Sequence, residues 1–340
     1  MTTTAPFPDP GPLDLHAAPP LRWGVVGTGE IAGDFTDALH AHTAQRVVAV
    51  TSRTTDRAEA FGRQHGVDGA WTDAHAMAAE VDVVYVATPH SRHHDDALAA
   101  ITAGTPVLVE KPMATSVAET ESLAAAARAH GVLVAEAMWT RYLPHSVVLA
   151  RLLADGALGD VRLADAAVGW QVDLGSGGRM LDPALGGGAL LDMGVYALWF
   201  AHFAVGHPVS VTAGGTVRPD GVDLDAAAVL VGAGGALATA ATTLRATTDG
   251  RAGITGTRGS VRFDDHVVFP AGFTLTRDGR ESSWQDPTRL RGRDGLAHEG
   301  AAIARLVADG VTDSPVHGLE DSLALARTVE AVRAQLTVVG

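Results

Sequence analysis

Short apolar runs alternate with helical segments through roughly the first 140 residues of the chain. The runs with the length of buried strands lie at residues 22–26, 47–50, 82–87, 106–109 and 132–135. Apolar residues at helical spacing follow them, in segments that start at Ile31 or cover residues 57–65, 94–103 and 119–130. Strands alternating with helices at this spacing predict a doubly wound parallel sheet.

The rhythm changes near Met138, and after one predicted helix at residues 146–154 strand-like runs dominate. Those runs lie at residues 161–168, 209–217, 226–231, 237–244 and 260–263. Most are joined by Gly or Asp turns, which are typical of antiparallel strands. Helices at residues 298–308 and 320–335 close the chain. The pattern predicts an α/β protein with a Rossmann domain at residues 21–140 and an α+β domain at residues 141–340, built on a large, mostly antiparallel open sheet.

Two segments bear on membranes and location. Residues 226–244 are uncharged and long enough to span a bilayer, but a glycine-rich stretch at residues 232–235 favours two short strands around a turn. Residues 1–20 are rich in Pro, Thr and Ala and lack the basic start and apolar run of a signal peptide. We expect a disordered tail on a cytoplasmic protein with no membrane partner.

Composition excludes several classes of function. The net charge of −14 is not offset by any stripe of Lys and Arg, so nucleic acid is not an expected partner. The absence of cysteine excludes disulfides, thiolate metal sites and a cysteine nucleophile. The histidine pairs His40/His42 and His93/His94 lack the spacing and acidic companion of a helical zinc site, so no metal is predicted.

The turn after the first predicted strand carries a glycine motif, Gly27-Thr28-Gly29-Glu30-Ile31-Ala32. It matches the dinucleotide fingerprint, in which the first glycine makes the tight turn and the third position accepts Gly or Ala. The second glycine lets the backbone approach a pyrophosphate at the helix N-terminus. Because the motif follows a predicted strand and opens a predicted helix, it predicts a dinucleotide site. A glycine turn without a ligand is the alternative.

The end of the second strand indicates which dinucleotide binds. NAD-selective proteins place Asp or Glu there for the ribose hydroxyls. This chain has Thr51-Ser52-Arg53-Thr54 and no acid. A hydroxyl with a guanidinium suits a 2′-phosphate, so we predict NADP. NAD stays open as a second cofactor, since Arg53 could instead stack on adenine or point to solvent.

Lys111 is the one lysine among the 25 lysine and arginine residues, and asparagine is absent. Lysine and asparagine have AT-rich codons, so this composition is typical of a GC-rich genome, in which a replaceable lysine drifts to arginine. Lysine is a compact charge on a slim stem whose pKa can be shifted, unlike arginine. Its retention in Glu110-Lys111-Pro112 favours a role that arginine cannot fill. Chance survival of a surface lysine is the alternative.

These segments together resemble the glucose–fructose oxidoreductase/inositol dehydrogenase/MocA family. The resemblance rests on the turn at Gly27, on Ala87-Thr88-Pro89 with His93, and on residues 109–112, and it runs from about residue 21 to residue 335. The family usually has asparagine at the position of His90. The resemblance assigns these residues to the cofactor site: Gly27, Thr28, Gly29, Glu30, Ile31, Ser52, Arg53, Thr88, Pro89, His93, Glu110 and Lys111.

Residues 136–142 and 186–196 are similar to one branch of the family, which holds dimeric dihydrodiol dehydrogenase and NADP-dependent xylose dehydrogenase. Many family members have histidine where this chain has Tyr196, whereas glucose–fructose oxidoreductase has tyrosine. The resemblance implies a small-molecule substrate, namely a sugar, polyol or vicinal diol that is oxidised at a carbinol carbon. It also implies a homodimer or higher homo-oligomer formed through the second domain.

Lys111, Asp192 and Tyr196 are the predicted catalytic residues. Asp192 and Tyr196 are four residues apart, so on a helix they share one face. The reference pKa of tyrosine is about 10, too high for a base near neutrality, and an adjacent ammonium group lowers it. Lys111 can supply that charge, and Asp192 can orient Lys111 or hydrogen-bond a substrate hydroxyl.

Other polar and aromatic residues are candidates for the substrate pocket. The predicted substrate-binding residues are Lys111, Trp139, Arg141, Tyr142, Arg179, Asp192 and Tyr196. Packing at the domain junction is an equal alternative for Tyr142, and a solvated loop position is one for Arg179. Tyr85, inside a predicted central strand, is expected in the core.

We therefore predict an NADP-dependent dehydrogenase or reductase acting on CH–OH groups. A cofactor-binding regulator without turnover is the first alternative, and the presence of Lys111, Asp192 and Tyr196 argues against it. A reductase of a biliverdin-like or imine substrate on the same fold is the second.

Overall fold

The computed structural model describes residues 7–175, 177–263 and 265–338, and the chain divides into two compact units. The first unit combines Asp14–Tyr142 with Leu290–Ala326. The second consists of Leu143–Arg289 with the two ends of the chain, up to Leu13 and from Arg327 onwards. The sequence pattern divides the chain near residue 140 and assigns residues 290–326 to its second domain, whereas in this division they cluster with the first unit.

The first unit holds a parallel sheet whose described strands are β1 (Arg22–Val26), β2 (Arg46–Thr51), β3 (Gly69–Trp71), β4 (Val83–Val86), β5 (Val107–Glu110) and β6 (Val134–Ala137). Their order is β3-β2-β1-β4-β5-β6, the order of dinucleotide-binding folds. All residues of β4, β5 and β6 are buried, as expected for parallel strands covered on both faces. The predicted parallel sheet is confirmed.

The helices of this unit are α1 (Glu30–His42), α2 (Thr55–His65), α3 (Ala74–Ala78), α4 (His93–Thr102), α5 (Val117–His130) and α8 (Leu296–Ala308), with part of α9 (Leu319–Arg333). Ser116 caps α5 by accepting a hydrogen bond from the backbone N–H of Glu119 at 3.2 Å. The approach of α8 to α1 depends on Gly300, because a Cβ there would lie 2.6 Å from a methyl carbon of Leu39.

The second unit holds a larger sheet and two helices, α6 (Pro144–Ala154) and α7 (Val195–Val205). Its described strands are β7 (Val161–Gly169), β8 (Pro208–Val217), β9 (Asp223–Gly232), β10 (Leu237–Thr243), β11 (Ala252–Gly256), β12 (Gly259–Phe263), β13 (Gly272–Arg277), β14 (Arg280–Gln285) and β15 (Thr337–Val338). Their order is β14-β13-β12-β11-β7-β10-β9-β8-β15. Because β10 pairs with β7 and β15 with β8 in parallel, the sheet is mixed but mostly antiparallel, as predicted.

One face of this sheet is buried and the other is exposed. Along β9, residues Ala226, Ala228 and Leu230 are buried, while Ala227 and Val229 between them are exposed. This alternation follows from the two-residue period of a strand. The uncharged segment at residues 226–244 forms the antiparallel pair β9–β10 around a glycine turn, as its sequence predicts.

The helical segment Pro183–Val205 is long and apolar enough to cross a membrane, and it is the one such segment in the part of the chain that the structure describes. Of its most apolar window, 83% is buried inside the protein. Burial against the sheet therefore accounts for its composition.

The segment before β1 differs from the disordered tail that its composition predicts. Residues 1–6 lie outside the described residues, but Phe7 packs edge-on against Phe273, with ring centroids 5.7 Å apart. Arg151 donates a hydrogen bond to the carbonyl oxygen of Asp9 at 2.6 Å. Within the first unit, Leu15 is buried and Gln45 donates to the carbonyl oxygen of Pro19 at 2.9 Å. A few apolar side chains in a stiff, proline-rich segment suffice to anchor it.

Candidate functional site

The glycine turn after β1 has the backbone that a dinucleotide site requires. Gly27 has φ +113°, and a Cβ there would lie 2.6 Å from the carbonyl oxygen of Ala87, so this position favours glycine. Gly29 is the N-cap of α1, and a Cβ there would meet nothing within 4 Å. The turn therefore packs tightly on the β4 side and leaves the N-terminus of α1 open at Gly29, beside Thr28, Glu30 and Ile31.

Ser52 and Arg53 lie at the same edge of the sheet as this turn. Val26 and Thr51, the last residues of β1 and β2, are partners in the sheet. The hydroxyl of Thr51 is directed inward and contacts the sulfur of Met77 at 2.9 Å. Arg53 is exposed and Ser52 half-buried, so these two side chains remain accessible at the end of β2.

His93 joins the ends of β4 and β5. Its Nδ1 lies 2.8 Å from the carbonyl oxygen of Pro112 and its Nε2 2.9 Å from that of Thr88, and the ring is fully buried. Burial lowers the pKa of His93, although both carbonyl contacts favour the protonated ring. Thr88 in turn donates to Asp96 at 2.8 Å. Both nitrogens of His93 thus face protein carbonyls, so it supports the loop around Pro89.

Glu110 and Lys111 point to different environments. The hydroxyl of Tyr85 donates to one oxygen of Glu110 at 2.5 Å, and the backbone N–H of Lys111 donates to the other at 3.1 Å. Burial raises the pKa of Glu110, while Lys111 and the Tyr85 hydrogen bond oppose that shift. The Lys111 side chain is half-buried, and the Lys111–Pro112 peptide bond is cis. Tyr85 is a core residue, as predicted.

Two further buried carboxyl groups of the first unit were not predicted. Glu136 lies 3.0 Å from Nε2 of His317 and accepts the backbone N–H of Met113 at 2.9 Å. Glu299 is fully buried on α8, and within the described part of the chain neither of its oxygens has a hydrogen-bond partner. A glutamate in an amphipathic helix ordinarily faces solvent, so the sequence held no signal for this burial.

The aromatic pocket candidates of the first unit are largely buried. Trp139 is 2% exposed, and the guanidinium of Arg293 lies 5.9 Å from its ring centroid. Tyr142 is buried and its hydroxyl lies 3.3 Å from that of Ser314. Burial lowers the pKa of Arg141, opposed by Tyr142 and an aspartate on α9. The packing role weighed for Tyr142 fits this geometry.

In the second unit, the segment with Asp192 and Tyr196 begins as a π-helix at Leu190–Gly194 and continues as α7. The sequence predicted that Asp192 and Tyr196 lie on one helix, and the structure makes the first turn of that helix a wider π-turn, a feature common at functional sites. Asp192 accepts a hydrogen bond from the Arg179 guanidinium at 2.9 Å. Tyr196 is 5% exposed, one turn after Asp192. Arg179 and Asp192 are thus brought together, and Arg179 is not a purely solvated loop residue.

A stack of rings in the second unit was also missed. The His266 ring lies between Trp170 and Phe269, with centroids 5.1 Å and 4.9 Å away and nearly parallel planes. Trp170 and Phe269 are each 36% exposed. Trp170 lies 96 positions before His266 in the sequence, so no local pattern relates it to the other two rings. Among the described residues, no group of three or more His, Asp or Glu side chains has the arrangement of a metal site.

Comparison with known proteins assigns both parts of the chain. Residues 21–138 match the family model described as an oxidoreductase family with an NAD-binding Rossmann fold, and residues 147–262 match the GFO/IDH/MocA C-terminal domain. The chain is 34% identical over 330 residues to trans-1,2-dihydrobenzene-1,2-diol dehydrogenase of Danio rerio, covering 94% of this chain and 98% of that protein. The Bos taurus protein of that name is 32% identical over 92% of this chain and 96% of its own length.

Solved structures agree with this assignment. A 3-ketoreductase from Actinomadura kijaniata, in complex with NADP and TDP-benzene, has a TM-score of 0.81 and 28% identity, covering 94% of this chain and 99% of that one. An aldose-aldose oxidoreductase from Caulobacter crescentus, complexed with glycerol, has a TM-score of 0.82 and 25% identity, covering 93% and 97%. With both family models matched and relatives above 30% identity along nearly its whole length, this chain belongs to the GFO/IDH/MocA oxidoreductase family.

Proposed function

We propose that this protein is an NADP-dependent oxidoreductase that transfers a hydride between a carbinol carbon of a vicinal diol or sugar and the nicotinamide ring. The observation that carries the proposal is the near-full-length match to dihydrodiol dehydrogenases. Support for NADP comes from the edge of the parallel sheet, where Ser52 and Arg53 follow β2 and no acid takes the position that favours NAD. The neighbouring 3-ketoreductase structure is also an NADP complex.

The residues of the first unit fit this cofactor. The open N-terminus of α1 at Gly29 presents backbone N–H groups to a pyrophosphate. Arg53 supplies a guanidinium for the 2′-phosphate, with the hydroxyl of Ser52 beside it. When bound, the cofactor supplies the hydride acceptor or donor. The paired carbonyl contacts of His93 keep the loop at Thr88 and Pro89 in one conformation.

Proton transfer is assigned to the side chains. Tyr196 takes the proton of the substrate hydroxyl during oxidation and returns it during reduction. Lys111 provides the positive charge that favours the phenolate form. Asp192, which is held by the Arg179 guanidinium, hydrogen-bonds a substrate hydroxyl. The exposed rings of Trp170 and Phe269 add apolar surface to the second unit.

A turnover screen tests the proposal. Purified protein is incubated with NADP or NAD and a panel of aldoses, inositols and trans-cyclohexane-1,2-diol, and NADPH or NADH absorbance is followed. The reverse direction is assayed with the matching ketones. We expect NADP-dependent oxidation of at least one vicinal diol or aldose. Binding of NADP without turnover of any compound in either direction would favour the regulator, and turnover of imines alone would favour the second alternative.

A further inference from the structure

The start of the π-helix at Leu190–Gly194 is held by one buried carboxyl group, that of Asp223 on β9. Its Oδ2 accepts the backbone N–H of Leu190 at 2.6 Å, and the residue is 0% exposed. The first N–H groups of a helix have no partner within the helix, so a side-chain acceptor there fixes where the helix begins. Here the acceptor comes from a neighbouring strand, 33 positions away in sequence.

The absence of a side chain at Gly188, just before this helix, leaves room for that carboxyl group. Gly188 has φ +129°, and a Cβ there would lie 2.3 Å from Oδ1 of Asp223. The backbone of Gly188 is itself bound, since its N–H donates to the carbonyl oxygen of Met180 at 2.9 Å and its carbonyl oxygen accepts from Asp192 at 3.3 Å. Gly188 therefore links the turn at Arg179–Leu181 to the π-helix that carries Asp192, and Asp223 contacts the chain at this link.

The burial of the Asp223 carboxyl group lowers the stability of the folded state. Among the described residues, Oδ1 of Asp223 has no hydrogen-bond partner, and Nη2 of Arg333 on α9 lies 3.9 Å away from it. Burial raises the pKa of Asp223, and the N–H of Leu190 and the charge of Arg333 only partly oppose that shift. Burying a charge with incomplete pairing costs stability. Such costs recur where a site must be held in a fixed geometry.

We propose that Asp223 is a positioning residue, which fixes the orientation of Asp192 and Tyr196 by capping the π-helix that precedes α7. The inference rests on the proposed function, which assigns proton transfer to Tyr196 and substrate binding to Asp192. Misplacing a reacting group by about 1 Å can cost about 100-fold in rate. Asp223 acts on those two side chains through the backbone, by way of its hydrogen bond with the N–H of Leu190.

The test compares Asp223→Ala, Asp223→Asn and the core variant Ile254→Val, assayed with NADP and trans-cyclohexane-1,2-diol or the best substrate of the screen. Ile254 is a fully buried residue of β11 in the same unit, and its shortening removes one buried methyl group, which controls for a general loss of stability. We expect Asp223→Ala to lower kcat about tenfold or more with less than about twofold change in the NADP dissociation constant. Asp223→Asn keeps an oxygen for the Leu190 N–H and should stay within about threefold of wild type, as should Ile254→Val.

Hydrogen exchange of residues 186–200, measured by mass spectrometry, separates this inference from the proposed function. Faster exchange there in Asp223→Ala, with no loss of kcat in Tyr196→Phe, would support capping of the π-helix by Asp223 and would reject the chemistry assigned to Tyr196. Unchanged exchange with unchanged kcat in Asp223→Ala would overturn the inference, as would equal losses in Asp223→Ala and Asp223→Asn. If Asp223→Ala does not fold, Gly188→Ala, which presses on the same carboxyl group, replaces it.

Discussion

The Arg179 guanidinium donates a hydrogen bond to the Asp192 carboxylate across 2.9 Å, and the two side chains differ in exposure, at 43% and 11%. An ion pair with one buried member is worth more than a surface pair, because solvent screens it less. Arg179 lies in the turn at Arg179–Leu181, and Asp192 lies in the π-helix. The pair therefore orders the loop before the helix as well as the carboxylate itself.

Arg179→Ala tests this pair. We expect kcat/KM to fall about tenfold or more, since a hydrogen bond to a charged group contributes about 1.5–3 kcal/mol and the substitution removes this one from Asp192. Arg162→Ala is the matched control, because Arg162 pairs with Asp160 at the same 2.9 Å but both side chains are more than half exposed. An equal effect of the two substitutions on kcat/KM would contradict the expectation.

Arg53→Ala tests the choice of cofactor. Wild type should bind NADP more tightly than NAD, and the substitution should weaken NADP binding by about 1.5–3 kcal/mol, roughly 10- to 100-fold, while NAD binding changes little. Dissociation constants from fluorescence titration measure this. Arg63→Ala, near the other end of α2 and paired with Glu59, is the control. A wild-type preference for NAD would show that the end of β2 was misinterpreted.

Lys111→Arg and Tyr196→Phe test the assignment of proton transfer. Each should lower kcat about 100-fold or more, the scale of general acid–base groups, and NADP binding should change much less. If the two residues act as a unit, the double variant should lose little more than either single one. Near-wild-type turnover in either single variant would remove them from the chemistry. The measurement is steady-state kinetics with the substrate found in the screen.

Glu299 makes stability depend on pH. Burial raises its pKa well above the usual value, and Glu110 and Glu136 add to the shift. An acid with a raised pKa in the folded state contributes its full stability below its unfolded pKa of about 4.5 and loses it as pH rises toward the folded value. Replacing Glu299 by Gln removes that loss. Measured over the range of about pH 5 to pH 8, the gain in unfolding free energy should therefore grow as pH rises toward the folded-state pKa, by up to about 1.4 kcal/mol per pH unit.

Urea unfolding of wild type and Glu299→Gln across that pH range measures the effect. The control is Glu80→Gln, at an exposed position of the same unit, which should show no such trend. A stability difference between wild type and Glu299→Gln that stays constant with pH would mean that Glu299 is ionised in the folded protein.

The exposed face of the second sheet predicts self-association. Leu163, Val229 and Leu237 are each more than 40% exposed, and Leu237 is directly opposite Leu163 across β10 and β7. We expect this apolar surface to be covered by a second copy of the chain. Light scattering at micromolar concentration should show a dimer or larger, and Leu237→Glu should shift it toward monomer. Leu13→Glu, at an exposed position outside the sheet, should not. A wild-type monomer would contradict the prediction.

The sequence by itself determined the features that depend on neighbouring residues. The buried runs ending at Val26 and Val86 follow from local hydrophobic pattern, and the positive φ of Gly27 follows from its motif. The turn at residues 232–235 separated two strands because glycine favours turns. The short β3 and α3 gave no such signal, since three to five residues do not establish a period.

Only the tertiary structure decided the features that depend on residues distant in sequence. The sequence pattern assigned residues 290–326 to the second domain. In the structure they belong to the first unit, where Gly300 packs closely against Leu39. Likewise, no local pattern shows that the carboxyl group of Asp223 reaches the N–H of Leu190, or that Glu299 is buried. Periodicity reports which face of an element is apolar, whereas burial of a single polar group depends on which element covers it.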